Sequence, residues 1–445
     1  MRRPRALSPL REHLRDTFWF TPVLGLLGAA LLAWGCAELD TLAVDALRAS
    51  GDYESISDLL SFAEDAKAIV TTIGSAMLTF IGVVFSISLV ALQMAAGQFS
   101  PRVVRLYVRS RITKATFTTF LATFLFALLV QVAYDDETDP RKVTTVLLFS
   151  GVAALTLLGV SLLLFVAYVN STLRLMRVSY VVDRVARESL RVLGILSVAG
   201  RGRSGVRAGG EAGPEAAEEA ALAPDIAEIA HSGRAGVLRD VHVARLIRVA
   251  RRHGTVLRLI PQIGDFIVPG TPVLAVHGGR APAARTLRFT VSVGVERTFH
   301  QDVGFGLRQL ADIALRALSP AVNDPTTAVQ CLDRIHQILT AAAHCPLGTL
   351  LHRDHQGAVR LIQRLPGWTE LVDLGFTEIR GIAPGSPQVT RRLAAALDDL
   401  LDAVPEQRRA PMLRHHALLV QAVERTVREA ADRAFALSAD RQGIG

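Results

Sequence analysis

Lysine is almost missing from this chain of 445 residues: Lys67, Lys114 and Lys142 are its only three. A region without lysine cannot hold a P-loop phosphate site, a Schiff-base nucleophile or a biotinyl or lipoyl attachment point, so everything after residue 142 is closed to those chemistries. Cysteine is scarce too. Cys36, Cys331 and Cys345 form no CxxC pair and have no metal-ligand spacing, which excludes a disulfide scaffold and a cysteine-based metal site. Free cysteines of this kind usually pack, and they fit a reduced, cytosol-facing soluble part. The chain also lacks GxSxG, HExxH and GxGxxG signatures, so neither an enzyme nor a cofactor is expected. Charged residues are only 20% of the chain and hydrophobic ones 50%, a balance that excludes a disordered or collagenous chain.

What is present is apolar sequence, concentrated before residue 170. Four runs are long enough to cross a bilayer, at about 18–37, 68–92, 115–134 and 143–169, each near the roughly 20 residues that a spanning helix needs. The first carries Trp19 and Trp34 as interfacial anchors and is too long for a signal-peptide core, so it is expected to be retained. The flanks of the spans alternate in charge. Arg2, Arg3, Arg5, Arg11 and Arg15 precede the first; a loop from Glu38 to Lys67 is acidic; Arg102, Arg105, Arg109, Arg111 and Lys114 follow the second; Asp135, Asp136, Glu137 and Asp139 follow the third; Arg174 and Arg177 follow the fourth. Cytoplasmic flanks collect arginine and lysine. Both termini are therefore expected in the cytoplasm. The net charge of +8 finds its use in this orientation, and no nucleic-acid partner is expected.

Beyond the spans, residues 170–199 are expected as a helical extension of the fourth span, with Leu175, Val178, Val182, Val185 and Leu193 at helical spacing. Residues 200–224, rich in Gly, Ala and Glu, form a flexible linker. A small β-rich unit occupies 225–300: a short helix over HVARLIRVARRH, then strands broken by Pro261, Gly264, Pro269, Gly270 and Pro272, then a strand at 287–295. Its Pro-Gly-Thr-Pro segment is reminiscent of barrel-sandwich modules, without the lysine their carrier role requires. Residues 301–445 form a mainly helical domain. Asp302 caps one helix, and Asp324 with Pro325 starts the next. The expected fold is an α-helical integral membrane protein with four N-terminal transmembrane helices and a cytoplasmic α+β region, a small β-unit followed by helices.

Three stretches, RTFHQDVGFGLRQLADIALRALSPAVNDPTTAVQCLDR, GDFIVPGTPVL and VVFSISLVALQMAAGQFSPR, together resemble a bacterial family of predicted membrane proteins, domain of unknown function 2254. The resemblance covers nearly the whole chain. It implies a bacterial inner-membrane protein with an N-terminal helical membrane region and a cytoplasmic part. It implies no activity and no catalytic residues.

The second span holds the most informative pattern. Thr72, Thr79, Ser86 and Gln93 recur every seven residues, with Ser75 and Gly82 between them at helical offsets. A helix drifts only about 20° per heptad, so these groups form one stripe. Small residues let helices pack closely, the commoner cause of such a stripe. Hydroxyls can also replace part of an ion's water, which makes the same six residues candidates to line a pore. No span has a charge at its middle, which argues against a proton relay or coupled transporter and leaves room for a passive channel. A single hydroxyl-lined face per chain then calls for a homo-oligomer, with the cytoplasmic unit as vestibule or gate and a small ion as the passing species. Arg102, Arg105 and Arg109 are candidates for a basic ring at its mouth, their plainer role being orientation and contact with anionic lipid. The alternative is a membrane-anchored scaffold or signalling-type protein acting through its cytoplasmic part on an unknown ligand.

Asn323 and Asp324 in the SPAVNDP turn are candidates for a ligand loop, although capping already explains Asp324. Arg308, Asp312 and Arg316 follow at four-residue steps, as an ion-pair ladder does. His352 and His355, and the pair His415 and His416, have no carboxylate in a recognised metal arrangement, and no metal is expected.

Overall fold

The computed structural model describes residues 19–50, 53–98, 110–133, 147–201, 207–208, 225–287 and 290–443, and the chain divides into two compact units, up to Arg177 and from Val178 onward.

Among the described residues the first unit is a bundle of four helices: α1 (Phe20–Ser50), α2 (Tyr53–Gln98), α3 (Arg111–Ala133) and α4 (Leu148–Leu175). All four are long and apolar enough to cross a membrane. The acidic stretch between the first two spans is a correction. Rather than a loop from Glu38 to Lys67, α1 runs on to Ser50 and α2 begins at Tyr53. Charged residues are good helix formers in water, so a helix leaving the bilayer need not unwind there. At about 1.5 Å per residue the 46 residues of α2 make a rod of about 69 Å, against a hydrocarbon layer of about 30 Å.

α3 is the centre of the bundle, with 39% of its apolar window buried against 17–22% for the others. Phe120, Phe126, Ala127 and Val130 are inside. Phe80 of α2 meets Phe120 edge-on at 6.0 Å and Phe165 of α4 at 5.3 Å, the arrangement that ring quadrupoles favour. Small residues set the closest approaches: a Cβ added to Gly25 would fall 2.2 Å from Thr118 Cγ2 on α3. Several polar groups enclosed by the bundle find partners, as a bilayer favours, while the hydroxyls of Thr113, Thr118 and Thr172 are buried without one among the described residues. Tyr168 donates its hydroxyl hydrogen to Val84 O at 3.0 Å, and its oxygen lies 2.6 Å from Ser88 Oγ. Thr123 and Ser161 pair at 3.2 Å. Asp40, at the end of α1's apolar run, accepts from Phe149 N at 2.7 Å, Ser150 N at 3.1 Å and Ser150 Oγ at 2.6 Å, and so closes the N-terminus of α4.

The expected extension of the fourth span also differs. α4 ends at Leu175, and a separate helix α5 (Val178–Arg201) begins three residues later. Among the described residues the second unit then has two sheets. One is six-stranded in the order β1 (Arg207–Ala208), β8 (Thr349–Arg353), β9 (Val359–Arg364), β4 (Val256–Leu259), β6 (Pro272–His277), β2 (Asp225–Ala230). The other is three-stranded: β5 (Phe266–Ile267), β3 (Gly236–Val241), β7 (Val291–Gly294). All pairs are antiparallel except β4 with β9. Helix α6 (Val243–His253) joins this core through Leu246, Val249 and Ala250, beside Leu238, Leu257, Ile267 and Leu274. The strand expected at 287–295 is shorter, because a turn of helix, α7 (Ala284–Leu287), precedes β7.

The helical part comprises α8 (Val303–Ala317), α9 (Pro325–Ala342), α10 (Trp368–Ile382), α11 (Pro387–Ala403), α12 (Ala410–Thr426) and α13 (Ala430–Leu437). α5 packs on α8 and α9 with Val181, Val182, Val185 and Leu193 buried. Gly306 makes the crossing with α8 possible: a Cβ there would lie 1.7 Å from Ser189 Oγ. Asp302 caps α8 by accepting from Phe305 N at 3.0 Å, while Arg297 grips its carboxylate at 2.7 and 2.9 Å. Burial pushes the Asp302 carboxyl above its ordinary value in spite of that guanidinium.

The C-terminus of α9 is closed by a distant residue. Arg408 donates to the carbonyl oxygens of Ala342, Ala343 and Cys345 at 3.1, 2.7 and 3.2 Å, and its guanidinium lies 5.6 Å from the centre of the Trp368 ring. A cation there also meets the negative end of the helix dipole. Arg408→Ala is expected to destabilise the second unit by about 2 kcal/mol, the usual loss for charge-assisted hydrogen bonds. Arg408→Lys recovers little of this, since an ammonium cannot fork across three carbonyls. Thermal unfolding of both variants measures the difference, and equal midpoints for wild type and Arg408→Ala would refute the assignment.

Candidate functional site

The stripe on α2 is positioned by the heptad that runs two residues ahead of it. Val70, Met77, Val84 and Ala91 are buried against the bundle, and at 100° per residue the series Thr72, Thr79, Ser86 and Gln93 lies about 200° around the helix from them. These four, with Ser75 and Gly82, are exposed on the outside of the four-helix unit. A Cβ added to Gly82 would meet nothing within 4 Å, whereas one added to Gly74, on the inner face, would touch Ala127 of α3 at 3.5 Å. Glycines that bring this chain's helices together include Gly25, Gly74 and, against Ala66 of α2, Gly151 of α4. Among the described residues the stripe packs on no other helix.

Its hydroxyls are satisfied locally. Thr72 Oγ1 donates to Ala68 O at 2.8 Å, Ser75 Oγ to Thr72 O at 2.9 Å, Thr79 Oγ1 to Ser75 O at 3.3 Å and Ser86 Oγ to Gly82 O at 2.9 Å. Each hydroxyl oxygen still presents lone pairs outward. The chemistry on offer is a line of weak acceptors without charge. Arg102, Arg105 and Arg109, the candidate basic ring, lie outside the described residues.

The other candidates fall apart spatially. Asn323 is exposed in the left-handed region with φ 47°. Asp324 caps α9, its oxygens accepting from Thr327 N at 3.0 Å and Thr327 Oγ1 at 2.5 Å. Arg308 pairs with Asp312 and reaches Glu378 on α10; that hydrogen-bonded pair holds the Glu378 carboxyl below its ordinary value. The HRDH sequence turns a hairpin. Asp354 accepts from Gln356 N, Ala358 N and Arg360 Nε, at 2.9, 3.1 and 2.8 Å, and thereby closes the turn between β8 and β9. His352 pairs with Gln363 at 3.1 Å on the neighbouring strand, and His355 faces Arg251 instead. His415 meets Asp373 at 2.8 Å, while His416 lies nearest Asp398, 3.8 Å away.

Burial lowers the pKa of His336, His352 and His415, and for His415 it outweighs the Asp373 carboxylate. His415 Nδ1 is buried without a hydrogen-bond partner, as suits a neutral ring donating from Nε2. The unfolded chain takes up these protons near pH 6.5, whereas the folded chain resists them. Stability is thus complete above about pH 6.5 and falls as the pH drops toward the lowered folded values. The unfolding midpoint of the second unit should fall between pH 7.5 and 5.5, and His352→Gln with His415→Gln should flatten that slope. An equal slope in the double variant would contradict the burial argument.

Sequence reasoning counts Asp40 only among the acidic charges after the first span and passes over Ser88, yet both join the membrane helices. Both sit one turn or less from residues it did single out, but only the packed bundle brings Ser150 and Tyr168 to them.

Comparison with known proteins returns relatives over nearly the full length. The uncharacterized protein Rv1290c of Mycobacterium tuberculosis and the uncharacterized protein Mb1321c of Mycobacterium bovis are each 28% identical to this chain over 441 residues, covering 96% of this chain and 80% of their own. No solved structure matches. The family model described as "Predicted membrane protein (DUF2254)" matches residues 15–399, four apolar helices and most of the second unit included, and the chain belongs to that family.

Proposed function

We propose that this protein is a homo-oligomeric membrane channel or passive permeation pathway, with α2 of each copy lining a shared axis. The observation that carries the reading is the outward direction of Thr72, Ser75, Thr79, Gly82, Ser86 and Gln93, which are exposed on a helix whose opposite face is buried in its own bundle. Six polar or small groups along one outer face of a spanning helix, with the exposed Val83 and Val90 between them, are better matched to water or to copies of themselves than an all-aliphatic face would be. Small ions are the species that such an uncharged, hydroxylated lining suits. No catalytic step belongs to this reading. The charge of the flanks supports a bacterial inner-membrane location with both termini in the cytoplasm.

The test is reconstitution of the purified chain in planar bilayers, with mass photometry on the same sample. Discrete conductance steps from an oligomer are the expected result, and the reversal potential reports ion preference. A monomeric mass in mild detergent that persists as the protein concentration is raised would sink the reading. Silence from a well-folded oligomer would favour the second reading, a membrane-anchored scaffold or signalling-type protein. What speaks for that second reading is the size of the unit from Val178 onward, which has its own sheets and core.

A further inference from the structure

The second unit carries a groove that permeation does not use, and the argument for it stands whether or not α2 lines a pore. Its walls are the end of β2 and the loop after it (Ile229–Ala235), the start of β6 (Val273, Leu274) and β7 with the residue beyond (Val291, Val293, Gly294, Val295); Arg285 and Leu287 close one side, around a cavity of about 790 Å³. That size lies within the range of small-molecule sites, roughly 300–1,000 Å³. The two walls come from edge strands of different sheets, β2 and β7.

The lining divides by chemistry. The floor is aliphatic, from Val273, Leu274, Leu287, Val291 and Val293. The polar part is cationic or neutral: Arg234, Arg285, His231 and Ser232 are there, and no aspartate or glutamate is among the lining residues. Neither Arg234 nor Arg285 forms an ion pair among the described residues. Several other arginines of this unit are paired, as Arg297, Arg308, Arg360 and Arg392 are. The loop that carries Arg234 is held in place: His231 N donates to Thr271 O and Gly270 N to His231 O, both at 2.8 Å, and the His231 ring reaches Arg234 O at 2.9 Å. At the mouth Val295 is 88% exposed, an apolar side chain left beside two unmatched positive charges.

A peptide strand adding to the edge would need a regular ladder. β2 breaks its own register at Asp225/Ala227 and again at Ile229/Ala230, and β7 is only four residues long. Irregular, short edges resist strand addition. The charge pattern and aliphatic floor suit a smaller occupant instead. We infer that this groove binds a soluble amphipathic anion, a medium-chain carboxylate in chemical class, with the head on Arg234 and Arg285 and the alkyl tail along Val273, Val291 and Val293. Arginine matches a carboxylate in a bidentate fork, and the apolar wall supplies the remaining affinity.

The experiment uses the full chain in phosphatidylcholine nanodiscs and a decanoate carrying an alkyl diazirine as photoprobe. Cross-links are expected in the peptides holding Ile229–Ala235 or Val291–Val295. Decanoate should displace them and decanol should not. Arg234 and Arg285 are both exposed, so Arg234→Gln with Arg285→Gln leaves the fold intact; it should lower labelling there about tenfold, the loss for one charge-assisted contact of about 1.4 kcal/mol. Labelling confined to α1–α4, equal displacement by decanol, or unchanged labelling in the double variant would each overturn the proposal.

Discussion

Replacing Thr79 and Ser86 together by leucine is expected to reduce single-channel conductance at least ~tenfold, while the particles keep the mass of the wild-type oligomer. The two residues lie seven positions, about 10.5 Å, along the helix from each other. Both are on the exposed face, and neither hydroxyl bonds to another helix. The substitution therefore leaves this chain's own bundle untouched. In a shared lining it puts two apolar rings where hydroxyls had faced water, and narrow apolar rings close a pore by dewetting. Planar-bilayer recording and mass photometry on the same preparations separate the possibilities. Conductance lost with mass unchanged supports a pore. Assembly lost alone makes the stripe a packing seam between copies, and unchanged conductance removes α2 from the lining.

Asp40→Ala is expected to destabilise the membrane unit by about 3 kcal/mol. An ordinary N-cap lost in water costs roughly 0.5–2 kcal/mol, because water replaces the missing acceptor. Here three donors converge on one side chain that is 2% exposed, namely Phe149 N, Ser150 N and Ser150 Oγ. Little water reaches them, and unmet donors near lipid are more costly than in water. Asp40→Asn keeps one acceptor oxygen and should lose less. The measurement is the midpoint of thermal unfolding in detergent, followed by size-exclusion chromatography. An unchanged midpoint for Asp40→Ala would show that α4 starts without help from α1.

The membrane helices were legible because hydropathy over twenty residues outweighs every local preference. Their lengths were not. Asp45, Glu54 and Asp58 suggested a loop, but charge marks only where a segment meets water, and a helix continues into water readily. The starts of α8 and α9 were legible for a local reason, since Asp302 and Asp324 bond to backbone three residues on. The hairpin of β8 and β9 was hidden: each strand is short, and the histidines of HRDH drew attention to metal chemistry rather than to Asp354 and its turn. For the stripe, the sequence gives periodicity and cannot give direction. Whether Thr79 faces Phe120 or the outside depends on which heptad α3 buries, and that is settled only between helices. The groove at Arg234 and Arg285 was beyond reading, because its walls are brought together from residues more than fifty apart by the order of two sheets.

The local bonds of the α2 hydroxyls carry one more consequence. Each of Thr72, Ser75, Thr79 and Ser86 is already satisfied by a carbonyl of its own helix, so a single copy can enter lipid and fold completely before it meets another. If copies join through this face, as the proposed channel requires, their association is a two-dimensional mass-action equilibrium. In that case the crowding of copies per area of membrane, rather than the folding of any one of them, would set how many are joined at a given moment.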